Sequence, residues 1–223
     1  MLNTFMNLHD QAYKIILEKI LTAEYEPGQK ISEKEISDEL EIGRTPIREA
    51  ILRLRQEGLI SVIPQSGTYV TKIDLKVATS ARFIRESIET NVIKEVALKS
   101  DVKTDQLHVI IDNQKHFSKQ KQFEKFFSED EDFHHEFYTL SGHDQVWEWL
   151  QTINTQLNRF RILRLKAANL PWNTLIQEHE NLLKAVETHN VDAAESLISN
   201  HLHLMLDEEE TLIKVFPDYF SNY

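Results

Sequence analysis

"EIGRTPIREAILRLRQEGLI", residues 41–60, decides the fold of the N-terminal part of this 223-residue chain. Gly43 breaks whatever precedes it. Thr45 suits a helix N-cap, Pro46 the first helical position, and Glu49 the positive end of the helix dipole. Ile47, Ile51 and Leu54 recur at helical spacing as far as about Gln56, and Gly58 ends the run. Four arginines, Arg44, Arg48, Arg53 and Arg55, share this segment. Arg48 and Arg55, seven residues apart, lie on one face beside the apolar stripe.

Working outward, "HDQAYKIILEKILTAEY" carries apolar residues at helical spacing and is stopped by "EPGQ". Ser32 with Glu35 forms a capping-box pattern and starts a second helix, "SEKEISDEL". After Gly58, "LISVI" and "TYVTKI" read as two strands of a hairpin joined by "PQSG", with Gly67 at its tip. Three helices with a tight turn between the second and third, then a hairpin, predict a winged helix-turn-helix over residues 1–73. In that fold the N-terminal end of the third helix reaches base edges in the major groove. Arginine there takes a guanine edge or a phosphate, and first-turn N–H groups meet a phosphate. A solvated helix face of Arg–Glu pairs is the plainer reading; caps, turn and hairpin agree against it.

Charge supports a division of labour. The net charge is −11, yet residues 42–72 hold five Lys/Arg and two Asp/Glu. Residues 73–223 hold sixteen and twenty-five, so the acidity belongs to the C-terminal part. With no cysteine, disulfides and thiol chemistry are excluded, and a reducing, cytoplasmic location is expected. No signal peptide and no membrane span are read.

"PGQKISEKEISDELEIGRTPIREAILRLRQEGLISVIPQSGTYV" resembles the DNA-binding domain of the GntR family of bacterial transcription regulators, over roughly residues 8–73. The pattern PG…L-x-E…LA…GVSRTPVREAL-x-RL-x-x-EGL…G-x-x-V is matched nearly throughout. One departure is read in the turn, where "VS" before the arginine is shortened to Gly43. The resemblance places Lys34, Arg44, Thr45, Arg48 and Gly67 at DNA-contacting positions, with Lys34 where an arginine is common. It implies double-stranded operator DNA as partner, bound as a homodimer on a short palindrome.

From residue 74 to 223 the chain reads as nearly continuous helix, so the whole is mainly α: a winged helix-turn-helix followed by an all-helical antiparallel bundle. Six helices are expected, near 76–99, 104–120, 122–141, 145–167, 172–188 and 191–215. Inner stripes are Ala81, Ile84, Ile88 and Val92 on the first, and Val146, Leu150, Ile153, Leu157, Arg161 and Arg164 on the fourth. His134 follows Asp130 by one turn, and His179 and His201 fall on core stripes of the last two helices. Three inward histidines and a carboxylate need partners in a dry bundle: hydrogen bonds within a packed core, or one shared metal ion. His135 is expected to point elsewhere.

"DEDFHHEFYTLSG" and "EHENLLKAVETHNVDAAESLISNHL" resemble the ligand-binding domain called FCD, which accompanies this kind of DNA-binding domain. The resemblance implies Asp130, His134, His179 and His201 as ligands of one divalent ion per chain (zinc, nickel or manganese) beneath an effector cavity. A small carboxylate effector is implied, with an arginine clamp. Arg85 matches an R-x-x-x-E motif with Glu89, for which an exposed i,i+4 pair is the competing reading; Arg161 or Arg164 is the other candidate. Length and helix count resemble the shorter VanR-like branch. His143 stands where the motif has Asn, as a pocket residue or a helix cap. Effector-relieved repression is the expectation. A metal-dependent hydrolase and a pure metal sensor are the rivals. Glu131 and Glu178, the only nearby acids for hydrolysis, read as solvated helix residues, so no enzyme is expected.

Overall fold

The computed structural model describes residues 7–167, 172–203 and 209–221. The chain divides into two compact units: residues up to Asp74 with the segment from Phe216, and Leu75–Val215.

The first unit holds α1 (Leu8–Leu21), β1 (Lys30–Ile31), α2 (Glu33–Leu40), α3 (Arg44–Gln56), β2 (Ile60–Ile63), β3 (Gly67–Val70) and β4 (Ile73–Asp74). The Ser32 hydroxyl accepts from the Glu35 N–H at 3.1 Å, capping α2 as the S-x-x-E spacing predicts. The cap of α3 differs from expectation. Gly43 is the N-cap, and Arg44, Thr45 and Pro46 fill the first three helical positions. The Ile47 N–H is the first to reach a helical acceptor, the Gly43 carbonyl at 3.3 Å, so Pro46 still sits where no N–H is required. The turn is also not shortened. Glu41 caps α2 in the left-handed region at φ 55°, Ile42 is buried, and Gly43 starts the helix. These three occupy the G, V and S places of the GVSR pattern, so the change is of residues, not of length.

Ala12, Ile16 and Ile20 of α1 pack with Ile47, Ile51 and Leu54 of α3 and with Val70. The hairpin forms with register Ile60↔Val70 to Ile63↔Gly67, and β1 adds to its other edge in the order β1-β3-β2. The second run does not continue to Ile73 as one strand. Ile73–Asp74 instead pairs in parallel with β5 (Phe220–Ser221). Strands of two residues carry too little pattern to be read from sequence. Gly67 is not at the tip, which is formed by Pro64, Gln65 and Ser66. It opens β3 at φ 145°, and a Cβ there would lie 2.6 Å from Lys30 Cε.

The second unit is all-helical: α4 (Leu75–Leu98), α5 (Asp105–Lys119), α6 (Phe123–Ser141), α7 (Asp144–Ile153), α8 (Thr155–Lys166), α9 (Trp172–Glu187), α10 (Val191–His203) and α11 (Glu209–Val215). Eight helices therefore stand among the described residues where six were expected. Buried Asn154 closes α7 and opens α8, splitting the expected fourth helix. Asparagine competes with helical bonding, which suits it to such a junction. Ile153 consequently turns outward, 39% exposed, while Trp147 turns in. The expected last helix crosses 204–208, outside the described residues. On α4 the inner face is Ala78, Ala81, Arg85, Glu89 and Val92, and Ile84 faces out. Helix α4 packs on α10, α8 and α6, and α5 packs on α6 and α9. Phe126, Phe133, Phe137 and Tyr138 of α6 are fully buried at the centre. No helix among the described residues is long and apolar enough to cross a membrane.

Candidate functional site

In the first unit Lys34, Arg44, Thr45, Arg48 and Arg55 are exposed, and Gly67 is half-buried in the hairpin. The four arginines of α3 are not equivalent. The Arg53 guanidinium stacks 3.6 Å from the Tyr13 ring centroid and pairs with Glu57 at 3.2 Å and Asp10 at 3.9 Å, tying α3 to α1. Among the described residues Arg44, Arg48 and Arg55 form no ion pair, so their charge faces solvent at the entrance and along the outer face of α3.

In the second unit one ring nitrogen each from His134, His179 and His201 lies within 4.8 Å of the others. All three rings are buried, with centroids 4.9 to 5.5 Å apart. Each ring offers its Nδ1–H to an acceptor: His134 to Glu89, His179 to Gln114 Oε1 at 2.9 Å, and His201 to Glu178 Oε2 at 2.6 Å. Carboxylates only accept, which fixes the proton on Nδ1 of His134 and His201. For His179 the amide does the same work. Gln114 Nε2 donates to the Glu129 carbonyl at 3.2 Å, so its oxygen must face the imidazole. In a neutral ring so oriented, Nε2 carries the lone pair. Among the described residues, Nε2 of His134 and of His179 is buried with no hydrogen-bond partner. Burial, with Arg85 nearby, holds His134 well below the usual imidazole range; burial and His201 do so for His179. Neutral imidazoles, with Nδ1 oriented by an acceptor and Nε2 unsatisfied, are what a metal ion requires.

Asp130 lies beside them, its oxygens 3.6 Å from His179 Nε2 and 4.0 Å from His134 Nε2. Burial works to raise its carboxyl, but the positive charge of Arg161 outweighs that and holds it well below the usual carboxylate range. Arg161 donates to Asp130 and Glu131, and to Asn158 at 2.9 Å. Arg85 is fully buried and donates to Glu89 at 3.0 Å and Glu131 at 3.3 Å. Burial opposes its charge, and Glu89, Glu131 and Asp130 outweigh that, leaving it firmly protonated. The exposed Arg85–Glu89 pair weighed from sequence is thus a buried one. Arg85 Nη2 and the Tyr138 hydroxyl are buried without a hydrogen-bond partner among the described residues. A cavity of about 20 Å³ adjoins the histidines, lined by Asp130, Arg161, Arg164, His201 and three apolar side chains. It has room for a water-sized group.

The sequence-predicted Asp130, His134, His179, His201, Arg85 and Arg161 therefore meet in one buried cluster. His135 stacks on Trp147 with centroids 5.1 Å apart, and His143, exposed, pairs with Glu95 at 3.0 Å. Sequence reasoning missed the acceptors. Glu178 and Glu131 are not merely solvated: one orients His201 and the other bridges two arginines. Glu178 is adjacent to His179 and Glu89 one turn from Arg85, which were available signals. Gln114, on a separate helix, had none.

Two family models match the chain. Residues 8–70 match the bacterial regulatory proteins of the gntR family, and residues 81–204 match the FCD domain. The chain belongs to the GntR family. It is a GntR-type DNA-binding transcription regulator with an FCD domain, not an enzyme. The Escherichia coli K12 HTH-type transcriptional repressor RspR is 28% identical over 99% of this chain and 96% of its own. A Streptomyces ambofaciens HTH-type transcriptional regulator in an unstable DNA locus is 30% identical over 94% and 88%. The fold of this GntR protein is shared by the solved structure of E. coli McbR/YncC, with a TM-score of 0.73 at 18% identity, covering 95% of this chain and 100% of that one.

Proposed function

We propose that this regulator is a repressor whose hold on operator DNA is released by a small carboxylate bound over a divalent ion. The observation that carries the reading is the buried, unpartnered Nε2 of His134 and His179 beside His201 and Asp130. Those four side chains would hold the ion, whether zinc, nickel or manganese. The ion, when bound, supplies a Lewis-acidic position for a carboxylate oxygen. Arg85 and Arg161 supply positive charge for the same anion. Arg85 Nη2, a buried donor with no acceptor, favours an acidic ligand over a neutral one.

The name of RspR supports repression over activation. Lys34, Arg44, Thr45, Arg48 and Gly67 form the proposed DNA contact, in the cytoplasm, with two chains meeting the half-sites of a palindrome. Chain length supports the VanR-like branch, while the helix count does not.

Elemental mass spectrometry on the purified, untagged chain tests the ion. About one ion per chain is expected, lost in Asp130→Ala and in His201→Ala. Full metal content in both variants would show that the ligand set is wrong. DNA binding that answers to the ion alone, with no response to any small acid, would favour a metal sensor.

A further inference from the structure

Glu131 holds both arginines through one carboxylate oxygen. Its Oε1 accepts from Arg161 and, at 3.3 Å, from Arg85, while Gln151 Nε2 lies 3.4 Å from Oε2. Both terminal nitrogens of Arg161 are engaged, Nη2 by Asp130 and Nη1 by Glu131 and Asn158. Nη1 thus spends both of its N–H groups within the protein, and Nη2 one of its two. Arg85 Nη2 and the Tyr138 hydroxyl remain without acceptors among the described residues. Adding a second carboxylate beside Glu131 would put uncompensated negative charge in a desolvated space; exchanging one carboxylate for another leaves the buried charge unchanged. Glu131 is also the carboxylate placed to leave. Its side chain is 16% exposed, against 0% for Arg85 and Glu89.

We propose that Glu131 is the intramolecular competitor of the acidic effector: its carboxylate occupies Arg85 and Arg161, and the effector's carboxylate replaces it there. The proposal rests on the carboxylate reading above. It makes effector affinity adjustable by a residue that is neither a metal ligand nor a direct ligand contact.

The test is calorimetric titration of the full-length protein with sodium acetate, against sodium chloride at equal ionic strength. If Glu131 closes the arginines nine-tenths of the time, Glu131→Gln binds acetate about tenfold tighter than wild type. Asp132→Asn, losing the same charge at the exposed neighbouring position, matches wild type. The gain disappears in Glu131→Gln combined with Arg161→Met. Glu131→Asp, which keeps the charge but withdraws it by one methylene, shows a smaller gain and carries the test if Glu131→Gln does not fold. Equal acetate affinity in wild type and Glu131→Gln overturns the exchange and leaves the carboxylate reading intact. A gain that survives the loss of Arg161 also overturns it. Acetate binding by none of the folded proteins overturns both the exchange and the carboxylate reading.

Discussion

Gln114 sits at the centre of the second unit with no exposed surface and no charge, and it sets the proton on His179 through an amide pinned at both ends. Replacing it by Leu keeps the volume and removes the acceptor. The His179 Nδ1–H then loses its buried partner, at about 1–3 kcal/mol, and the ring is free to turn. Metal affinity of Gln114→Leu, read by competition with a chromogenic chelator, is expected to fall about 10- to 100-fold. Gln114→Glu, which keeps an acceptor, is expected to retain most of it. An unchanged affinity in the Leu variant would mean that the histidine needs no orienting partner. Arg85 and Glu89 make a related point. Apolar spacing put Ile84 on the inner face of α4, whereas the buried positions belong to a charged pair that counts as polar in any periodicity. What makes them tolerable inside is mutual neutralisation within α4 and across to α6, which no single helix displays.

At the scale of elements, the turn between α2 and α3 stores a correctable strain. Glu41 adopts φ 55° at a helix C-terminus, where glycine is usual and other L residues cost about 1–2 kcal/mol. Glu41→Gly is therefore expected to raise stability by roughly 1 kcal/mol, measured as a higher urea midpoint. A lower midpoint would show that the Glu41 side chain contributes contacts outweighing the strain. Helices with strong caps were legible, as Ser32 shows. The interruption at Asn154 was not, because one polar residue inside a long apolar period changes the pattern little yet redirects Trp147 and Ile153.

Across the molecule, charge is sorted: an acidic second part, and a basic helix whose free arginines are at its entrance and outer face. Arg48→Ala is expected to cost about 1–3 kcal/mol in affinity for a DNA site selected from a random pool, with little change in thermal stability. Arg53→Ala is expected to do the reverse, since Arg53 joins Tyr13, Asp10 and Glu57 within the fold. Gel-shift titrations with parallel melting curves check both. Equal loss of DNA affinity in the two variants would erase the distinction between reading and bracing arginines.

The sequence by itself determined the two kinds of domain and the helix that carries the arginines, because capping, turn chemistry and 3.6-residue periodicity are local properties. It also marked the three histidines and Asp130, by placing ligand-type side chains on apolar faces. Only the tertiary structure decided what surrounds them. The acceptors Glu89, Gln114 and Glu178 come from α4, α5 and α9, and the Glu131 bridge joins α6 to α4 and α8. Those partners meet through packing between helices far apart in the chain, and a buried polar group is satisfied by whichever neighbour the packing brings to it.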